Sequence, residues 1–257
     1  MDTRFGQTHT LVTGPLNGKP LFILQGGNCI NPMTLSWFTP LLTKYRIYAP
    51  DTIGHPGYSS ESRISAKDES FALWVSDLMD HFNIKQSGFI GPSYGAGIIL
   101  RLATYMPERI ACSVLVAPSG LEIGSKLTMI KKILLPLILF NRTSSDNQLQ
   151  NIADAMSHHS MDELDKQILG ELFTSVKLEQ NMPKQTEKNE LLRFMSPTMV
   201  VVGEHDIFFP AKKIVERANE IIPNLASATT YGMGHFPSKQ FLVEINKEIE
   251  QFLLTHY

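Results

Sequence analysis

The chain has 257 residues, of which 43% are hydrophobic, enough for one α/β domain with an insertion or at most two small domains. Its formal net charge of −2 gives no electrostatic reason to expect nucleic acid or an anionic membrane as a partner. The two cysteines, Cys29 and Cys112, match no metal-binding or redox spacing, so a structural disulfide is not expected and a reducing compartment fits better.

Strand-like apolar runs alternate with amphipathic helical stretches along most of the chain. This alternation predicts an α/β fold with a mainly parallel sheet and helices on both faces. Turn residues between positions 14 and 18 suggest that the chain begins with a β-hairpin before Pro20. The later predicted elements, in chain order, are strand 20–25, helix 34–42, strand 46–49, helix 70–82, strand 88–91, helix 94–105, strand 112–117, strand 198–202, helix 211–222, strand 226–231 and helix 238–254.

The alternation stops between about residues 120 and 195, where only helical patches separated by polar turns occur. This block is longer than a crossover between strands requires. We therefore predict an α/β core formed by residues 1–120 and 196–257, with residues 121–195 inserted as a helical cap over the strand ends. The alternative is an ordinary pair of helices that cover the sheet.

No segment has the pattern of a membrane span or of a secretory signal. The strongest apolar run, residues 133–140, is far shorter than the ~20 residues that cross a bilayer. The first residues lack the apolar core of a signal peptide. We therefore expect a cytoplasmic protein.

Ser93 lies in a tight turn between a strand-like segment and a helical segment. The sequence Gly-Pro-Ser-Tyr-Gly over residues 91–95 follows predicted strand 88–91 and begins predicted helix 94–105. A serine on such a turn needs small neighbours two residues away on each side, because the backbone there is crowded. The pentapeptide alone occurs by chance, but its position between strand and helix indicates a nucleophile.

A serine hydroxyl needs a positioned base, and His235 is the best candidate among the eight histidines. It lies in a glycine-rich turn, residues 232–237, between the last predicted strand and the last predicted helix. Such a turn can present an imidazole at the edge of the sheet where Ser93 is expected. His55 and His205 lie in loops at the same edge and remain competitors.

The base needs an acceptor that fixes its tautomer, and Asp206 is the predicted one, with Glu204 second. Both residues follow a buried strand in a polar turn, where helix capping or a surface ion pair is the alternative role. The order Ser93, Asp206, His235 along the chain is the nucleophile–acid–base order of the α/β-hydrolase arrangement.

Nearly the whole chain resembles the α/β-hydrolase superfamily. Besides the serine turn and the order of the triad, residues 24–28 followed by Trp37 look like the family's oxyanion loop at a strand end. Residues 51–59 are similar to a glycine-containing turn from aspartate to serine that many members carry. Residues 197–206 look like the strand and turn that hold the acid.

The resemblance implies that the backbone N–H groups of Gly27 and Tyr94 form the oxyanion hole. Gln25 departs from the family pattern, because most members have histidine before the glycine at this point. A glutamine amide can also brace the loop by hydrogen bonds, so we expect an altered set of contacts behind it.

Apolar side chains of the predicted cap and of the loops beside the triad suggest an apolar pocket. At least half of these side chains are expected to pack the cap onto the core instead of touching substrate. Asn28 is also expected to stabilise its own loop. The predicted substrate-binding residues are Asn28, Trp37, Met129, Leu134, Phe208 and Phe236.

The predicted function is a serine hydrolase that cleaves small to medium, largely apolar carboxylic esters or related acyl compounds. A serine nucleophile argues against the superfamily's dehalogenases and epoxide hydrolases, which attack with aspartate. The mechanism needs no metal and no organic cofactor. We expect a small-molecule ester substrate, no nucleic acid or membrane partner, and a monomer or homodimer. The alternatives are a small-molecule receptor with slow or vestigial hydrolysis, and a carbon–carbon bond hydrolase.

Overall fold

A sheet of seven strands runs through the centre of the protein, with a separate two-stranded ribbon at the N-terminus. The computed structural model describes all residues from Met1 to Tyr257. The strands are β1 (Asp2–Thr3), β2 (Gly6–Gln7), β3 (Thr10–Thr13), β4 (Pro20–Ile23), β5 (Arg46–Pro50), β6 (Ser87–Pro92), β7 (Ile110–Val116), β8 (Thr198–Gly203) and β9 (Leu225–Tyr231).

Nine α-helices surround or extend from this sheet. One π-helical turn, Ile130–Leu134, joins the fourth helix to the fifth, so residues 126–143 form one continuous helical rod. The helices are α1 (Asn31–Ser36), α2 (Ser70–His81), α3 (Tyr94–Tyr105), α4 (Lys126–Met129), α5 (Leu135–Thr143), α6 (Asp146–Ser157), α7 (Glu163–Ser175), α8 (Ala211–Ile221) and α9 (Lys239–His256).

The seven strands lie in the order β3-β5-β4-β6-β7-β8-β9, and every pair is parallel except β3 with β5. The prediction of a mainly parallel sheet is confirmed. Since all strands from β4 to β9 point the same way, the turns that follow β4, β6, β8 and β9 meet at one edge.

A hairpin does precede Pro20, but β1 and β2 form it, with Thr3 opposite Gly6, and the predicted turn at residues 14–18 does not. Strand β3 pairs with β5, with Thr10 opposite Pro50, and does not pair with β4, which follows it in the chain. Residues 14–18 do form a turn, but that turn carries the chain past β5. Gly14 has a φ of +86° and lies so close to the Tyr45 carbonyl oxygen that a Cβ would overlap it.

The predicted helix over residues 34–42 is divided in two. Helix α1 ends at Ser36, and a 3₁₀ helix covers Thr39–Thr43. Pro40 lies at the start of the second piece. Because proline has no N–H to donate, it cannot continue the hydrogen-bond ladder of a preceding α-helix.

Two apolar layers cover the two faces of the sheet, which confirms the prediction of helices on both sides. Alternate residues of β4 separate into the two layers, because successive strand side chains point to opposite faces: Phe22 packs towards α2 and α3, whereas Leu21 packs towards α9. The layer with α2, α3 and α8 contains 31 buried residues, and the layer with α1 and α9 contains 24.

The segment between β7 and β8 contains α4 to α7 and no strand. Its last part packs on the body of the protein: Leu191 and Phe194 are buried in the layer of α3. The fully buried Arg101 of α3 donates hydrogen bonds to Thr186 and Glu190, at 2.7 and 3.1 Å. No helix has both the length and the hydropathy needed to cross a membrane.

Candidate active site

Ser93 occupies a strained turn between β6 and α3. Its φ of 51° and ψ of −113° lie outside the regions that L-residues favour. A Cβ on Gly91 would lie 2.5 Å from the Gly95 carbonyl carbon, and one on Gly95 would overlap the Leu24 carbonyl oxygen. Only glycine therefore fits on either side of the serine, and the crowding expected from the sequence is present.

His235 and Asp206 form a buried pair. His235 Nδ1 lies 2.8 Å from Asp206 Oδ2, and both residues are only 6% exposed. Asp206 Oδ1 accepts hydrogen bonds from the backbone N–H groups of Phe208 and Phe209, at 2.7 and 3.1 Å. With the carboxylate held this way, it can fix the Nδ1–H tautomer of His235, which leaves Nε2 available as a base.

The structure places the competing residues elsewhere. Glu204 is exposed, and His205 stacks on His158 with ring centres 3.8 Å apart. His55 is buried behind the predicted oxyanion loop, where burial lowers its pKa to about 4 and its Nδ1 accepts a hydrogen bond from Asn28 N at 3.3 Å. None of these side chains approaches Asp206 as His235 does.

Ser93 and His235 line the same cavity, which measures about 200 Å³ and lies at the carboxyl edge of the parallel strands. No hydrogen bond joins the serine hydroxyl to the imidazole. Such bonds are often long in free enzymes and tighten when substrate binds. The shared cavity and the orientation set by Asp206 bring the three predicted residues to one site.

The predicted oxyanion residues meet beside Ser93. A Cβ on Gly27 would lie 3.0 Å from Tyr94 Cβ, so the two backbone segments run against each other. Neither the Gly27 N–H nor the Tyr94 N–H forms a hydrogen bond within the protein, and both residues line the cavity. These two free donors, one at the N-terminus of α3 and one in the loop after β4, can stabilise a developing negative charge.

Gln25 braces this loop from behind, as predicted for a glutamine amide. Its Oε1 accepts a hydrogen bond from Thr52 N at 2.8 Å, and its Nε2 donates to the carbonyl oxygens of Pro56, at 2.9 Å, and Cys29. The fully buried side chain thus ties residues 26–29 to the turn that begins at Asp51.

Asn28 lines the cavity, but its side-chain amide is already hydrogen-bonded to the backbone of Glu179. Its Nδ2 donates to Glu179 O at 3.0 Å, and its Oδ1 accepts from Glu179 N at 2.7 Å. This pair of bonds connects the predicted oxyanion loop to the end of the helical segment. Asn28 therefore serves its loop, the second of the two roles considered for it.

Of the other predicted substrate-binding residues, Trp37, Phe208 and Phe236 line the cavity, whereas Met129 and Leu134 do not. Ile133 and Leu137 take their place. Leu134 lies in the π-helical turn and is 47% exposed.

Sequence reasoning missed the contributions of α6 and α7 to the cavity. Met156, Leu169 and Phe173 line it. Apolar residues recur at helical spacing in both helices, which indicates an inward face but not that this face meets the serine. Cys29 also lines the cavity, and burial raises its pKa to about 12, so its thiol stays protonated and does not compete as a nucleophile.

A family model described as alpha/beta hydrolase fold matches residues 19–160, more than half of the chain. The chain belongs to this family. The serine turn at the end of β6 and the order Ser93, Asp206, His235 are among the features by which this α/β-hydrolase was expected from its sequence.

Similar proteins cover almost the whole α/β-hydrolase chain. The uncharacterized carboxylesterase nap of Bacillus subtilis is 23% identical over 98% of this chain and 85% of its own. Carboxylesterase YbfK of the same organism is 24% identical over 98% and 86%. The crystal structure of naproxen esterase from B. subtilis superposes with a TM-score of 0.84 at 22% identity, over 98% of this chain and 90% of that one.

Proposed function

We propose that the protein is a serine hydrolase that cleaves small to medium, largely apolar carboxylic esters. The observation that carries the proposal is the buried Asp206–His235 pair, 2.8 Å apart, in a cavity that it shares with Ser93. The naming of similar full-length proteins as carboxylesterases supports the same reaction class.

In the proposed mechanism His235 Nε2 takes the proton of Ser93 as the serine oxygen attacks the ester carbonyl. Asp206 orients the imidazole and stabilises its positive form. The N–H groups of Gly27 and Tyr94 bind the oxyanion of the tetrahedral intermediate, and losing one such donor typically raises a barrier by ~2.7–4 kcal/mol.

His235 then gives its proton to the leaving alcohol, and the acyl group remains on Ser93. A water molecule, activated by His235, attacks this acyl-enzyme through a second tetrahedral intermediate. Collapse of that intermediate releases the carboxylic acid and returns the proton to the serine. Each proton that is transferred in the cycle passes through His235.

The lining of the cavity supports an apolar substrate. Fourteen of the 22 lining residues are hydrophobic, and aromatic side chains flank the proposed base: Phe208 lies 4.9 Å from the His235 ring, centre to centre. We infer that the helical segment, residues 121–195, acts as a cap, because Ile133, Leu137 and Phe173 close the cavity from that side.

The cytoplasm is the proposed location. Cys29 and Cys112 are both buried free thiols, and burial raises the pKa of each to about 12. Buried protonated thiols are compatible with a reducing compartment.

A panel of nitrophenyl esters with increasing acyl length tests the proposal. We expect steady turnover with a maximum at short to medium chains, and a loss on the order of 10⁴ or more in Ser93→Ala. Turnover that is equal in the wild type and in Ser93→Ala would contradict a serine mechanism. Saturable binding without turnover would favour the receptor alternative instead.

A further inference from the structure

The helical rod formed by residues 126–143 leaves much of its apolar surface in water. No residue of α4 or of the π-helical turn is buried, and only Phe140 of α5 is. An exposed apolar surface of this extent marks an interaction site in a folded protein. Large apolar side chains that are 40 to 69% exposed on this rod are Leu127, Ile130, Leu134, Leu135, Ile138 and Leu139.

The same rod is basic. Lys126, Lys131, Lys132 and Arg142 lie on it, and no aspartate or glutamate occurs from residue 123 to residue 145. None of these four cations forms an ion pair within the protein. The rod thus has a local charge of the sign opposite to the net charge of −2 of the whole chain.

A basic crevice adjoins the rod. Lys131 and Lys132 line it together with His158, His159 and His205. The single acidic residue in its lining is Asp154, which is already engaged, because it accepts a hydrogen bond from Gln150 at 2.8 Å and lies 3.1 Å from His159 Nδ1. The crevice therefore presents the positive charge of Lys131 and Lys132, and no carboxylate forms an ion pair with either lysine.

Contrary to the expectation drawn from the net charge of the whole chain, we propose that the 126–143 rod docks on the surface of an anionic phospholipid membrane. Its exposed leucines and isoleucines enter the boundary between headgroups and acyl chains, and its lysines and the adjoining crevice bind headgroup phosphates. Lysine stems can lie along apolar surface while their charged ends reach the headgroups.

The charge of the rod argues against a second copy of the chain as its occupant. In a two-fold symmetric contact the same patch meets itself, so the four cations of one rod would face the four cations of the other. No carboxylate within the rod would compensate them. An anionic lipid surface, in contrast, supplies both an apolar layer and the opposite charge.

Docking in this way would place the active-site cavity beside the lipid. Ile133 and Leu137 of the same rod line that cavity. Apolar esters partition into membranes, so an ester could pass from the bilayer along the rod to Ser93. This consequence rests on the proposed function, whereas the docking itself does not.

Co-sedimentation with vesicles tests the docking without any need for turnover. We expect most of the protein to sediment at low salt with vesicles of equal parts phosphatidylcholine and phosphatidylglycerol, and little with phosphatidylcholine alone. Salt near ~1 M, where the Debye length is about 3 Å, should release most of it. Absence from the anionic pellet, or equal binding to both vesicle types, overturns the proposal.

Matched double variants test whether the 126–143 rod is the surface that binds the vesicles. Leu135→Ser with Leu139→Ser, and separately Lys131→Gln with Lys132→Gln, should each weaken vesicle binding at least tenfold. The controls are Leu192→Ser with Leu254→Ser and Lys212→Gln with Lys213→Gln, which change exposed residues of the same types elsewhere and should bind as the wild type does. Circular dichroism verifies that each variant is folded.

Analytical ultracentrifugation of the same proteins tests whether the rod binds a second copy of the chain instead of a lipid surface. We expect the sedimentation of the lipid-free wild type and of Leu135→Ser with Leu139→Ser to be the same. A dimer that this double variant disperses would assign the rod to self-association and overturn the proposal.

Discussion

Ser93 is held in its strained conformation by contacts on both sides of the turn. Its N–H donates to Val116 O at 2.8 Å, and its carbonyl oxygen accepts from the N–H and the hydroxyl of Ser119, at 3.2 and 3.0 Å. Strain of this kind persists only where the surroundings over-determine it. The proposed nucleophile is therefore presented to the cavity by the backbone of two neighbouring strands.

Substitutions of the two acidic residues near the proposed base, Asp206 and Glu204, should affect kcat differently. Asp206→Asn should lower kcat by a factor on the order of 10⁴, because an amide stabilises the wrong tautomer of His235 and cannot balance its charge. Glu204→Gln should leave kcat near that of the wild type, since Glu204 is exposed. Steady-state kinetics on one nitrophenyl ester compares them, and a larger loss in Glu204→Gln would exchange the two assignments.

The loop of the proposed base contains a glycine that packing requires. A Cβ on Gly234 would lie 2.6 Å from the carbonyl carbon of Ser157 and 2.7 Å from His158 N, which are backbone atoms at the end of α6. Gly234→Ala should therefore displace His235, lowering both kcat and the melting temperature.

Gly232→Ala is the matched control in the same loop. A Cβ there meets only the Phe241 ring, at 3.9 Å, which is ordinary contact. We expect this variant to keep the activity and melting temperature of the wild type. Equal losses in the two variants would mean that the loop tolerates no side chain at all, and the contact with α6 would not be the cause.

At the scale of elements, a polar cluster joins α3 to the segment that returns from the helical insertion. Glu190 accepts hydrogen bonds from the backbone N–H of Glu187, from Arg101 and from Lys184. Burial by itself raises the pKa of a carboxyl group, but these bonds outweigh it and lower the pKa of Glu190 to about 2.

The depressed pKa of Glu190 makes its stabilising effect depend on pH. Glutamate in an unfolded chain titrates near ~4.3, so the contribution is fully present above that pH and is lost as the pH falls towards about 2. Glu190→Gln should lower the melting temperature at neutral pH, and the difference from the wild type should shrink between pH ~4.5 and ~2.

Thermal unfolding followed by circular dichroism across this pH range measures the pH-dependent stabilisation by Glu190. Glu216→Gln is the control, because Glu216 is exposed and lies 4.0 Å from its partner Lys212. Exposed pairs of this kind contribute little to stability. A difference in melting temperature between Glu190→Gln and the wild type that stays constant down to pH ~2 would contradict the proposed dependence of stability on the ionisation of Glu190.

At the scale of the whole molecule, the helical segment between β7 and β8 closes one side of the cavity at the edge of the sheet. Residues before β7, within the insertion and after β8 all contribute to its wall. Phe236 N donates to Met156 O at 3.0 Å, so the loop of the proposed base is also bonded to the insertion. The body and the insertion therefore form one site.

The helical segment between β7 and β8 should determine the length of the acyl chain that the site accepts in an ester substrate. Leu137→Ala removes bulk from the cavity wall and should move the maximum of the ester panel towards longer acyl chains. Ile138→Ala, next to it but 40% exposed and outside the cavity, should leave the maximum where it is. An unchanged profile in Leu137→Ala would mean that the acyl chain lies elsewhere.

Local patterns in the sequence determined most of the elements and the serine turn. The run before Ser93 is strand-like and the run after it is helical, and β6 and α3 have these bounds within one residue of the prediction. Hydrophobic periodicity indicates which residues of one segment share a face, and glycine indicates where the backbone is crowded. Both features can be recognised without knowledge of contacts distant in the chain.

Only the tertiary structure decided which segments meet. The partner of β3 is β5, more than thirty residues later, and not the β4 strand that the local turn suggested. Likewise Ile133 and Leu137 line the cavity where Met129 and Leu134 were expected, in a segment that contains a π-helical turn. Such pairings depend on contacts between residues far apart in the chain, which the pattern within one segment does not encode.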